Sequence, residues 1–356
     1  MLAQTFLSAL LNPLSSEALP LADWDALVPE LRAHQLTPFV YARLRASPGW
    51  RSVPLPVQRV LAEDFQAHSV RTYLMQTELA AIAAALDEAG VPVLLLKGAA
   101  LGRLVYVSPA ERPIGDFDLL IPANRLEAAR QALEQRQYRA QGLFWMARWQ
   151  QRYRAELPLV CRAPDRQNLL VELHWSLVEL PYYIDRIPMA EIWRDSVPAG
   201  DLPGARLPDP ATALLHSCAH WALHHSQEQR LLWLLDVDRL TRWDRLDWDL
   251  VLDRATRWGL QLALHTIVLQ AEEKLGSSVP EVVRHTMAHW QPAPVETAMW
   301  GLGDERPGRT RQRIRTTWTA MDASQRRRYA AWLALRGALW YPESFSRESR
   351  WKQAND

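Results

Sequence analysis

Apolar positions across residues 1–88 recur at helical spacing. Trp24, Leu27, Val28 and Leu31 share one face, and a second pattern runs from Thr37 to Arg45. After turns at Pro48, Pro54 and Pro56, Met75, Leu79, Ile82 and Leu86 recur on one face until Gly90 supplies a stop. The period then changes. Val91 to Leu96 is an apolar run short and β-rich enough for a buried strand, followed by a short helical pattern from Ala99 to Tyr106. Ser108-Pro109 and Arg112-Pro113 turn the chain back. In Asp116 to Ile121, alternation puts Asp116 and Asp118 on one face of a strand and Phe117 and Leu119 on the other. Asn124 to Gln135 predicts a helix with Leu126, Ala129 and Leu133 inward, and Tyr138 starts another strand. Glu156–Cys161 and Leu169–Trp175 are further strands around a polar turn at 163–168. Pro158 makes the first of them an edge strand or demotes it, since proline cannot donate to a ladder.

Residues 181–208 are proline-rich and predict an irregular connection. Helical spacing returns at Asp209, an N-cap followed by Pro210 in the first turn. That helix runs through His225, the next spans Leu231 to Leu240, and one or two more lie between Leu250 and Lys274. The expected organisation is an N-terminal helical cap (1–88), an α/β core (89–180), a linker (181–208) and a C-terminal helical domain (209–356). There is no internal repeat and no low-complexity tract.

Composition narrows the class. Hydrophobic residues make up 48% and charged residues 23% of the 356, which fits a soluble globular protein with a proper core. No apolar run is long enough to span a bilayer. The apolar patch from Phe6 to Leu11 lacks the basic flank and cleavage site of a signal peptide. Cys161 and Cys218 form neither a disulfide framework nor a ligand pattern, so a reducing compartment, the cytoplasm, is expected. A net charge of +1 excludes an overall polyelectrolyte partner. The stretch from Arg306 to Asp356 is nonetheless basic, with eleven arginines and one lysine against four acids. No nucleic-acid binding at physiological salt is expected from it.

Two carboxylates as close as Asp116 and Asp118 repel unless a cation lies between them, and magnesium suits such a pair when substrate phosphates complete its shell. Lys97-Gly98 after an apolar strand adds a phosphate-cradle pattern: a point charge, and a glycine opening a helix. Only three of the 41 basic residues are lysines.

The ordered set Lys97-Gly98, Tyr106, Arg112-Pro113, Asp116/Asp118 and Glu172-Leu173-His174-Trp175 resembles a bacterial branch of the DNA polymerase β-like nucleotidyltransferase superfamily. That branch is described only as an uncharacterised nucleotidyltransferase family. The resemblance implies an α+β fold: a polymerase-β-like core with a small mixed sheet, flanked by N- and C-terminal helical regions. It implies magnesium-dependent transfer of a nucleoside monophosphate from a nucleoside triphosphate, ATP foremost, to a hydroxyl. Asp116, Asp118 and Glu172 would hold two Mg2+ ions. Lys97, Gly98, Arg112 and His174 would serve the nucleotide, with Arg112 as triphosphate clamp and His174 orienting Glu172. Ala99 stands where the superfamily prefers serine or glycine, and the eighteen positions from Gly98 to Asp116 exceed the usual gap. The acceptor stays open among a small metabolite, an antibiotic, a protein side chain and an RNA 3′ end. Two other readings remain: a catalytically inactive nucleotide- or partner-binding pseudoenzyme, and a regulatory component of the toxin–antitoxin type.

Glu156 is the rival third carboxylate, and Tyr106 is expected in the core. His216, His220 and His224 form a stripe at i, i+4, i+8, read as a polar helix face turned toward the cleft rather than a metal site. Asp236 is left without a role.

Overall fold

The computed structural model describes residues 2–12, 23–141, 155–163, 169–226, 228, 230–301, 309–320, 326–327 and 329–330. Of the basic stretch 306–356, residues 306–308, 321–325, 328 and 331–356 lie outside them. Among the described residues, four helices open the chain: α1 (Leu2–Leu11), α2 (Trp24–Ala33), α3 (Thr37–Arg45) and the long α4 (Leu55–Glu88). Asp23 caps α2 by accepting from the Ala26 N–H, and Leu27, Val28 and Leu31 are buried beneath it. On α4 the stripe of Met75, Leu79, Ile82 and Leu86 is buried, as its spacing predicts. Each such side chain contributes roughly 1.5–3 kcal/mol of burial.

The central segment supplies β1 (Val93–Leu95), α5 (Lys97–Leu104), β2 (Phe117–Leu120), α6 (Leu126–Gln135), β3 (Tyr138–Ala140), β4 (Glu156–Cys161) and β5 (Leu170–His174). Then come α7 (Pro181–Ile184), α8 (Met189–Asp195), β6 (Val197–Pro198) and β7 (Ala205–Leu207). The strands form one seven-stranded mixed sheet in the order β3-β4-β5-β2-β1-β7-β6. Parallel pairs are β2/β5 and β1/β7, and the others are antiparallel. The fold is α+β.

Two expectations change here. Residues 181–208 are no mere connection, because β7 pairs with β1 and extends the sheet. Arg254, fully buried, ties the same segment to the C-terminal helices through Glu191 at 3.0 Å, Asp195 at 2.5 Å and Asp209 at 2.7 Å. Nor does Pro158 mark an edge, for β4 lies between β3 and β5. The Pro158 carbonyl accepts from the Gln141 N–H, just past the end of β3, so its ring nitrogen faces the side where that ladder stops. No bond to β5 is lost.

The sheet separates two cores. Val93, Leu95, Phe117, Leu119, Val171 and Leu173 face α4 and α6, whereas Leu94, Leu96 and Leu120 face the remaining helices. The latter include α9 (Pro210–His224), α10 (Leu231–Thr241), α11 (Trp248–Trp258) and α12 (Gln261–Leu275). Asp209 caps α9 as expected, accepting from the Thr212 N–H. After them the described residues include α13 (Glu281–Ala288), α14 (Pro294–Met299) and α15 (Arg309–Ala320). Strands apolar on both faces explain why β1 reads as an unbroken run. No helix among the described residues is long and apolar enough to cross a membrane.

Candidate active site

The polar positions of β2 and β5 fall on the sheet face toward α9. Register places Asp118 opposite Glu172 and Leu120 opposite His174 across the parallel pair. A one-residue slip would bury the carboxylates against α4 and expose Phe117 and Leu119, so the apolar alternation enforces this register. The Lys97 ammonium reaches Asp118 Oδ1 at 2.7 Å and Glu172 Oε2 at 3.8 Å. His174 Nε2 approaches the same two oxygens at 3.0 and 3.6 Å. Asp118 and His174 are almost fully buried, while Lys97 and Glu172 remain partly open.

Electrostatics divide these groups. Burial works against charge on Asp118, but Lys97 and His174 outweigh it and hold its carboxyl well below the ordinary range. Burial likewise opposes the imidazolium of His174, yet its bonds to Asp118 and Glu172 push it up to about 10. Glu172 is raised, by burial first and by Asp118 despite the His174 bond. Asp116 precedes β2 and is pushed up to about 7 by burial and by the charge of Asp118.

The N-terminus of α5 opens at Lys97, and no side chain caps it. Its first N–H groups are therefore available to an anion. Lys97 takes φ +43°, a left-handed conformation that costs a side-chain-bearing residue about 1–2 kcal/mol. Gly98 is required by contact: a Cβ there would lie 2.6 Å from Ile114 Cγ2 and 2.7 Å from Arg112 Nη1.

Arg112 is turned inward. It is buried and donates to Asp236 through Nε at 3.1 Å and Nη2 at 2.7 Å. Tyr106 donates to the same carboxylate at 2.7 Å. Arg112 thus lies beneath Gly98 and fastens the turn between α5 and β2 to α10. Its guanidinium is not part of the Lys97–Asp118–Glu172–His174 cluster. The role of Asp236 could have been suspected from sequence, because a charge inside Leu234-Leu235-Asp236-Val237 needs a buried partner.

A second acidic pair lies beside the cluster, one that sequence spacing does not reveal. Glu156, opposite His174 in the β4/β5 ladder, hydrogen-bonds Glu179 and is pushed up to about 8 by burial and by that neighbour's charge. Among the described residues, metal-capable donors converge in two groups, Asp118/Glu172/His174 and Glu156/Glu179/His174. The histidine stripe is in neither. His216 and His220 pack 6.4 Å apart between ring centres, and His220 stands edge-on to Trp233. Burial holds His216 down to about 3, with the charges of Lys97 and His174 adding to the shift, so the inner end of the stripe faces the cluster.

The donors suit magnesium: hard carboxylate oxygens meet around Asp118 and Glu172, with Asp116 beside them. A cleft of about 1440 Å³ opens at Asp116, between α4 and the starts of β2 and β5. Its walls include Arg32, His68, Arg71, Glu78 and Arg136.

The chain is similar to known proteins of nucleotidyltransferase type. Among solved structures, an antigenic nucleotidyltransferase-like protein from Paracoccidioides brasiliensis matches at 16% identity and a TM-score of 0.38, over 59% of this chain and 95% of its own. The antibiotic-resistance factor ANT(2'')-Ia matches at 14% identity and a TM-score of 0.33, over 62% of this chain and 99% of its own. No curated protein matches. The model of a family described as uncharacterised nucleotidyltransferase matches residues 20–276, from α2 through α12, and the chain belongs to that family.

Proposed function

We propose that the chain transfers a nucleoside monophosphate from a nucleoside triphosphate, ATP foremost, to an acceptor hydroxyl with magnesium. The observation that supports this most is the register placing Glu172 beside Asp118, on the face reached by Lys97. Asp116, Asp118 and Glu172 would hold magnesium, which neutralises phosphate charge and acidifies the acceptor hydroxyl. The free N–H groups at the start of α5 receive triphosphate oxygens, and Gly98 lets them come close. His174, two residues after Glu172 on β5, orients Asp118 and Glu172. Glu172, partly open, takes the acceptor proton. The acceptor oxygen forms a bond to the α-phosphorus as the bond to the bridging oxygen breaks, and pyrophosphate leaves with that electron pair. Arg112 contributes by holding the turn under Gly98.

The test is a labelled-triphosphate screen with magnesium against small molecules, proteins and RNA, run beside Asp118→Asn. Wild type should yield label transfer and pyrophosphate, and Asp118→Asn neither. Tight magnesium–ATP binding without turnover on any acceptor would refute transfer and favour a nucleotide-binding role, the reading to which Ala99 at the cradle points.

A further inference from the structure

We propose that Lys97 is a resident cation of this site, its ammonium occupying one of the two ion positions, so that the chain loads a single divalent ion beside Asp116. This rests on the nucleotidyl-transfer reading and refines its metal requirement. Lys97 Nζ stands 2.7 Å from Asp118 Oδ1 and 3.8 Å from Glu172 Oε2. His174 Nε2 meets the same two oxygens at 3.0 and 3.6 Å. One oxygen of each carboxylate is thus shared by two nitrogen donors.

The backbone supports the assignment. Lys97 adopts φ +43°, which a side-chain-bearing residue rarely accepts. That conformation starts α5 and aims the side chain at the carboxylates. Gly98, pressed against Ile114 and Arg112, and the buried Ala99 and Ala100 fix α5 behind it. A second divalent ion on Asp118 Oδ1 would be repelled by the ammonium, 2.7 Å from that oxygen and 3.8 Å from Glu172 Oε2. The printed contacts of Lys97 and His174 with Asp118 both fall on Oδ1, and Asp116 lies outside the bridged cluster, so an ion beside Asp116 need not displace the ammonium. An ammonium neutralises charge but cannot ligate a hydroxyl. Glu172 would then accept the acceptor proton directly, without a second metal to share the task.

The experiment counts ions rather than turnover. Mn2+ bound to the full chain is titrated by electron paramagnetic resonance, with α,β-methylene-ATP at saturation. Wild type should bind one ion per chain. Lys97→Gly, which removes the charge and tolerates the left-handed backbone, should bind two, as should Lys97→Met. Two ions in wild type overturn the proposal whether or not the variants fold. Variants that fold, by circular dichroism, and still bind one ion overturn it too. If neither wild type nor variants bind Mn2+, the metal-dependent function itself fails.

Discussion

Asp116→Asn tests the electrostatics of the site without an acceptor. In the metal-free chain Asp116 is pushed from 3.8 to about 7 by burial and by Asp118. Its folded pKa is therefore raised above the unfolded one. The contribution to stability is full below the unfolded pKa and is lost as pH rises through the folded one. Three units at 1.36 kcal/mol each make the loss about 4 kcal/mol by pH 8, and under 1 kcal/mol near pH 4. Partial exposure of the side chain reduces the loss to about 2 kcal/mol once water screens it. Asparagine keeps the shape and removes the charge. In chelator at pH 8, Asp116→Asn should be more stable than wild type by about 2–4 kcal/mol, with the advantage nearly gone at pH 4. Urea denaturation at the two pH values measures this. With excess Mn2+ the order should narrow or reverse, because the variant loses a ligand and wild type gains binding free energy. A variant less stable at pH 8 in chelator, or a difference independent of pH, would refute the argument.

Three further outcomes are expected. Gly98→Ala should cost about 1–3 kcal/mol in urea unfolding and weaken triphosphate binding, since its Cβ would meet Ile114 and Arg112 below 3 Å. Arg112→Met should cost about 3–5 kcal/mol by leaving Asp236 buried without its cation, and adding Asp236→Leu should recover most of that; an additive double mutant would contradict the pair. Glu172→Gln should cut turnover about 100-fold or more with triphosphate affinity largely kept. Glu156→Gln should change turnover little, because Glu156, raised to about 8, already carries its proton at neutral pH. Equal losses at the two positions would leave the third carboxylate unassigned.

Much of the fold was legible in the chain. The helical faces of α2 and α4, the runs that became β1, β2, β4 and β5, and the Asp209 cap all arise from local periodicity and turn chemistry. Because strand alternation has a period of two, Asp118, Glu172 and His174 could be placed on polar faces before any pairing was known. Four things depended on tertiary structure. The order β5-β2-β1 sets Glu172 beside Asp118 and Lys97 near both, and no local signal encodes which strands become neighbours. Residues 197–207 look like linker because two- and three-residue strands carry almost no periodicity, and only pairing with β1 makes them sheet. Pro158 misled for a related reason: proline forbids one hydrogen bond, and whether that bond was needed depends on where β3 ends. Arg112 shows the same limit. The resemblance makes it a triphosphate clamp, but Asp236, 124 positions away, draws the guanidinium inward. Charge pairing across such separations is a property of the folded chain, because only folding removes the water that would otherwise solvate both groups.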